Sequence, residues 1–132
     1  MLTRSIAIVY DDPNLLNMYS EALKMSGYDD VSSFTDPVVA YEYIKKNPNK
    51  YSLVIITDNE KTPDMNVFLG TKLLEINPKL NVIILSDFFA EDLEYNYKFN
   101  ILKKRVSIYK LINAVNESIS KSISYNDKFY CL

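Results

Sequence analysis

Three short stretches of the chain are continuously apolar, and they carry the prediction of its architecture. They are residues 6–9, 53–56 and 82–85. Each is rich in β-branched residues and too short for a helix. Uninterrupted apolarity is typical of strands covered on both faces, as in a parallel sheet. Two weaker stretches, residues 31–34 and 100–103, are candidates for strands nearer to the sheet edges.

Apolar residues at helical spacing separate these stretches. Two predicted helices begin in the same way, with an aspartate that caps the helix and a proline in its first turn. Before the last helix, Val106 and Leu111 are spaced to form a hydrophobic staple. The predicted helices begin at Asp12-Pro13, at Asp36-Pro37, near Pro63 or Asp64, at residue 90 and at Ser107.

A strand followed by a helix, five times over, predicts a doubly wound α/β fold. Right-handed crossovers then place helices on both faces of a five-stranded parallel sheet. We expect one domain over residues 1–120 and a frayed C-terminal tail over residues 121–132, with no attached DNA-binding domain.

Composition removes several classes of function. The 132 residues include no His, one Cys (Cys131) and two Gly, and the net charge is −2. Imidazole catalysis, His or Cys metal sites, internal disulfides and glycine-rich phosphate loops are therefore excluded. No overall positive charge attracts nucleic acid, and no apolar stretch is long enough for a signal peptide or a membrane span. We expect a cytoplasmic protein that binds neither nucleic acid nor membrane.

Polar residues follow the predicted strands at the positions where a ligand would bind. Ligands of doubly wound folds bind beyond the carboxyl ends of the strands. The polar residues there are Asp11 and Asp12, Thr57 and Asp58, Ser86 and Asp87, and the run Lys103, Lys104 and Arg105. Each has an ordinary structural role open to it: Asp12 as a helix cap, Ser86 as a strand-end hydroxyl, the basic run as a solvated turn.

Clustered carboxylates need a counter-charge. Two like charges about 4 Å apart repel by about 4 kcal/mol at an effective dielectric constant near 20. Mg²⁺ removes that repulsion, since it binds carboxylate oxygens and keeps waters that a phosphate can replace. A nearby ammonium group would pair with an incoming phosphoryl group. The set suits the transfer of a phosphoryl group to an Asp carboxylate.

Five sequence segments, in order, resemble the receiver domain of response regulators over about residues 4–120. They are Asp11-Asp12-Pro13, the segment from Leu53 to Asp58, the segment from Pro63 to Asn66, the segment from Val82 to Ser86, and Leu102-Lys103-Lys104. The resemblance implies a flavodoxin-like sheet with strand order 2-1-3-4-5. It implies Asp11, Asp12 and Asp58 as Mg²⁺ ligands, Asp58 as phosphoacceptor, Ser86 as switch hydroxyl and Lys104 as the phosphate-pairing amine.

The same resemblance implies partners. A histidine kinase or phosphotransfer protein would supply the phosphoryl group, and a downstream protein or a second copy of the chain would bind the altered surface. At most, slow self-dephosphorylation would be catalysed.

Several positions depart from the receiver pattern and keep a second interpretation open. Asp58 lies five residues before Pro63 rather than four, and Thr57 competes with it for the acceptor position. Val67, Asp87 and Arg105 replace the usual glycine, small residue and proline. The segment between Ser86 and Lys104 is short for the family, so the fourth helix is expected to be reduced. These departures favour a receiver-like interaction module that has lost phosphotransfer.

Two further alternatives share the fold class. A flavin-binding electron carrier would need a phosphate loop after the first strand, where Asp11 and Asp12 would repel a phosphate. A phosphatase with an Asp nucleophile would need an acid two residues after Asp11, and Pro13 occupies that position.

Overall fold

The computed structural model describes residues 5–57, 65–86 and 99–130, with side chains throughout except at 66 and 121–130. The helix predicted from residue 90 lies outside these ranges. The strands are β1 Ser5–Val9, β2 Asp30–Phe34, β3 Leu53–Thr57, β4 Asn81–Ser86 and β5 Asn100–Lys103. The helices are α1 Pro13–Met25, α2 Pro37–Lys46, α3 Met65–Ile76 and α4 Ile108–Tyr130.

The five strands form one parallel sheet in the order β2-β1-β3-β4-β5. This confirms the predicted fold class and strand order. The three continuously apolar stretches are the central strands, and the side chains of residues 6–9, 53–57 and 82–86 are buried. Their apolarity follows from their position, because helices cover a central strand of such a sheet on both sides.

Side chains from the two faces of the sheet form two separate cores. Ile8, Ile55 and Leu85 belong to the core that also includes residues of α1 and α4. Val9 and Ile56 belong to the core that includes residues of α2 and α3. Successive residues of a strand alternate between these faces, so the position of each strand residue fixes its core.

The predicted starts of α1, α2 and α4 are confirmed. Asp12 Oδ1 accepts hydrogen bonds from the backbone N–H groups of Asn14 (3.0 Å) and Leu15 (3.3 Å). Asp36 caps α2 in the same way, and Ser107 Oγ accepts from the N–H of Lys110 (3.1 Å) at the start of α4. These caps satisfy N–H groups that have no partner within the helix.

Helix α4 extends beyond the predicted domain boundary at residue 120. Its backbone is helical to Tyr130, through most of the segment expected to be frayed. The domain boundary at residue 120 stays a prediction. Among the described residues, no helix is both long and apolar enough to cross a membrane.

Candidate functional site

The register of the sheet brings the ends of the central strands together at one edge. Val9 pairs with Ile56, so the residues that follow them, Tyr10 and Thr57, lie side by side. On the other side of β3, Thr57 pairs with Leu85. The apolar stretches predicted which residues lie at this edge. Which of them are neighbours on adjacent strands is known only from the register.

Thr57 is the last described residue of β3, and its side chain is 7% exposed. Its partner Leu85 lies in the core beneath α1 and α4, so the Thr57 side chain lies on that face. Its Oγ1 has no hydrogen-bond partner among the residues that the structure describes. A buried hydroxyl without a partner is unfavourable, and such groups are uncommon in folded proteins.

Ser86 ends β4 on the opposite face from Thr57. Ile84, two residues earlier, lies in the core beneath α2 and α3, and alternation places Ser86 on the same side. Ser86 is 1% exposed, and its carbonyl accepts the backbone N–H of Lys104 at 2.8 Å. The strand ends are thus adjacent, whereas the hydroxyls of Thr57 and Ser86 point to different faces of the sheet.

Tyr10 occupies the end of β1 beside Thr57. The residue is 3% exposed, and its ring stacks on that of Tyr19 with the centroids 6.0 Å apart. Burial raises the pKa of Tyr10 to about 12, and Tyr19, Asp12 and Asp11 add to the rise, whereas Arg105 opposes it. At neutral pH this position therefore holds an uncharged phenol.

The two predicted metal ligands on β1 differ in their surroundings. Asp11 is exposed. Asp12 is half-buried, and one oxygen of its carboxylate accepts the two N–H groups that open α1. The structure thus confirms the capping role of Asp12, and its role as a metal ligand stays a prediction.

The basic run after β5 forms a turn beside these groups. Arg105 has a φ of 65°, in the left-handed region, and no peptide bond in the described part of the chain is cis. Val106 continues the turn, and its carbonyl accepts the hydroxyl of Tyr19 at 3.1 Å. This bond fixes α1 to the segment that follows Lys104 and Arg105.

The structure describes some of the predicted site residues and not others. Asp11, Asp12 and Lys104 follow their strands as expected, and Ser86 is the last residue of β4. Asp58 and Asp87 lie outside the described residues. Tyr10 was missed as a site residue because, in the sequence, it simply continues the apolar stretch of β1. The signal that identifies it is its place directly before the acidic pair.

Solved structures of receiver domains superpose on this chain. A response-regulator receiver domain protein from Clostridium thermocellum superposes with a TM-score of 0.78 at 21% identity, over 92% of this chain and 98% of that chain. A CheY-like receiver domain protein from Methanospirillum hungatei gives 0.76 at 20% identity, over 93% and 98%. The chain has the receiver-domain fold.

A third structure with the receiver fold carries a ligand. The response regulator TrrA from Thermotoga maritima, solved in complex with Mg²⁺ and BeF, superposes with a TM-score of 0.70 at 17% identity, over 86% of this chain and 97% of that chain. No protein-family model and no curated protein matches this sequence.

Two of the three predicted Mg²⁺ ligands, Asp11 and Asp12, lie among the described residues at this edge. Mg²⁺ prefers carboxylate oxygens in octahedral geometry. One oxygen of Asp12 caps α1, Asp11 is exposed, and the neighbouring buried positions hold a neutral phenol and a threonine hydroxyl. No group of three metal-binding side chains occurs among the described residues.

Proposed function

We propose that this chain is a receiver-fold interaction module that binds a partner protein without accepting a phosphoryl group. The observation that carries this proposal is Arg105, which replaces the usual proline and has a φ of 65°, a backbone conformation that proline cannot adopt. If Thr57 rather than Asp58 fills the acceptor position, its hydroxyl cannot form the acyl phosphate that an Asp carboxylate forms. A buried phenol with a raised pKa supplies no negative charge for a metal ion.

The receiver fold suits this role. Receiver domains of response regulators interact with other proteins. A sheet covered by helices presents a surface for such contacts whether or not a phosphoryl group is present. The proposal involves no catalysed reaction. We expect the chain to bind proteins rather than nucleic acid, and to be located in the cytoplasm.

A second candidate function is phosphoryl acceptance on Asp58 from a histidine kinase or phosphotransfer protein. In that case Asp11, Asp12 and Asp58 would hold Mg²⁺, Ser86 would act as the switch hydroxyl and Lys104 would pair with the phosphate. The observation in its favour is that Ser86 and Lys104 are adjacent, joined by the 2.8 Å backbone hydrogen bond. The complex of TrrA with Mg²⁺ and BeF adds support from a protein of the same fold.

Phosphoryl transfer from a small donor separates the two functions. The full chain is incubated with acetyl phosphate and Mg²⁺, and its intact mass is measured beside that of Asp58→Asn. We expect neither protein to gain a phosphoryl group, while a phosphorylatable receiver in the same tube does. Gain of one phosphoryl group by the unmodified chain, absent from Asp58→Asn, would overturn the proposal and establish the second function.

A further inference from the structure

Helices α2 and α3 lie side by side on one face of the sheet and enclose an apolar groove. A cavity of about 220 Å³ lies between them, lined by Val38 and Tyr41 from α2 and by Phe68, Leu69 and Lys72 from α3. The lining residues recur at helical spacing on each helix, so the groove follows the direction of both. It lies on the opposite face of the sheet from Tyr10 and Thr57.

The groove exposes large apolar side chains to water. Val38 and Phe68 are each 60% exposed. Covering such surface is favourable in proportion to its apolar area. The cavity is smaller than the pockets of about 300–1,000 Å³ that hold drug-sized ligands. Its size suits a few side chains of a docked protein segment better than a small molecule.

Lysine side chains frame the groove towards the C-terminal ends of both helices. Lys72 Nζ lies 5.6 Å from the centroid of the Phe68 ring, and Lys45 Nζ lies 5.9 Å from that of Tyr41. No acidic side chain belongs to the described lining of the cavity. Glu75 pairs with Lys72 at 3.7 Å across exposed surface, where such pairs contribute little. The groove is therefore apolar at its floor and positive at one end.

We propose that this groove binds an amphipathic helix of a partner protein, with large apolar side chains at helical spacing and acidic side chains beside them. Helices dock in grooves of this kind through apolar residues at positions i, i+3 or i+4, and i+7. The lysines select the acidic partner and fix its direction. This inference rests on the proposed function and deepens it by naming the surface and the class of partner.

Two synthetic helical peptides test the proposal on the full chain. One carries Leu and Phe at the stated spacing with Glu beside them, and the other is identical except for Lys in place of Glu. Each is titrated into the ¹⁵N-labelled chain while amide chemical shifts are recorded. We expect the acidic peptide to shift the amides around Val38, Tyr41 and Phe68, and to bind at least about fivefold more tightly than the basic one.

Matched variants assign the binding to the groove. Phe68→Ala is expected to weaken the acidic peptide about tenfold, whereas Tyr109→Ala, which truncates an aromatic ring that is 75% exposed on α4, leaves it unchanged. Lys72→Glu reverses the preference between the two peptides. Lys24→Glu is its control, because Lys24 also pairs with a glutamate three residues away at 3.7 Å.

Three results overturn the inference. They are shifts that map elsewhere on the chain, equal effects of Lys72→Glu and Lys24→Glu, and shifts in the groove that appear with protein concentration alone, which assign it to a second copy of the chain. No phosphoryl donor is present in these titrations. Failure of the groove therefore leaves the acetyl phosphate result standing, and phosphorylation of Asp58 leaves the groove result standing.

Discussion

At the scale of single residues, what could be predicted depended on how local the interaction is. Asp12 was recognised as a helix cap because its partners, Asn14 and Leu15, follow it directly in the sequence. Tyr10 was missed because its position beside Thr57 cannot be seen in the sequence. Thr57 is far along the chain and becomes its neighbour only through the pairing of β1 with β3. The competition between Thr57 and Asp58 could be seen in the sequence, but only the structure shows that Thr57 is buried with its hydroxyl on the α1 and α4 face.

Tyr10 gives a prediction about pH. Its pKa rises from 10.0 to about 12 on folding, so between these values the folded chain holds a proton that the unfolded chain has released. Its contribution to stability is complete below pH 10 and is lost as the pH rises towards 12. Tyr10→Phe keeps the ring and removes the proton. Urea unfolding across this range should therefore show a smaller loss of stability for Tyr10→Phe than for the unmodified chain. Equal losses would show that Tyr10 ionises normally.

At the scale of elements, the apolar stretches predicted the central strands, and the helix caps predicted where helices begin. The start of α4 at Ile108 agrees with the predicted cap at Ser107, and β5 has the predicted bounds. Both signals are local. The packing between elements could not be predicted, and α3 provides an example. Gly70, on its buried side, faces Phe99, which lies next to β5 in the fold but 29 residues away in the sequence.

The contact between Gly70 and Phe99 predicts the effect of a single methyl group. A Cβ at residue 70 would lie 2.9 Å from Cε1 of the Phe99 ring, which is itself buried. Overpacking of this kind costs about 1–3 kcal/mol, while alanine in place of a helical glycine recovers about 1 kcal/mol. Gly70→Ala should therefore lower the free energy of unfolding by about 1 kcal/mol. Combining it with Phe99→Leu should make the glycine substitution neutral or favourable. A Gly70→Ala variant more stable than the unmodified chain would contradict the packing.

At the scale of the whole molecule, the order of elements predicted the fold because only a few topologies satisfy the rules for parallel sheets. The groove between α2 and α3 was not predicted. Val38 and Phe68 are apolar residues within their helices, and only the structure shows that both remain exposed. The two faces of the sheet thus differ. At the edge of the sheet, Tyr10 and Thr57 are buried side by side beneath α1 and α4, and on the α2 and α3 side an apolar surface is open to a partner.

The most direct measurement is ¹⁹F NMR of the full chain with Mg²⁺ and beryllofluoride, a mimic of a phosphoryl group on a carboxylate. If the chain does not accept a phosphoryl group, the spectrum contains only the signals of free fluoride species, with or without Mg²⁺, and Asp58→Asn gives the same spectrum. A protein-bound signal that requires Mg²⁺ and disappears in Asp58→Asn would contradict the account.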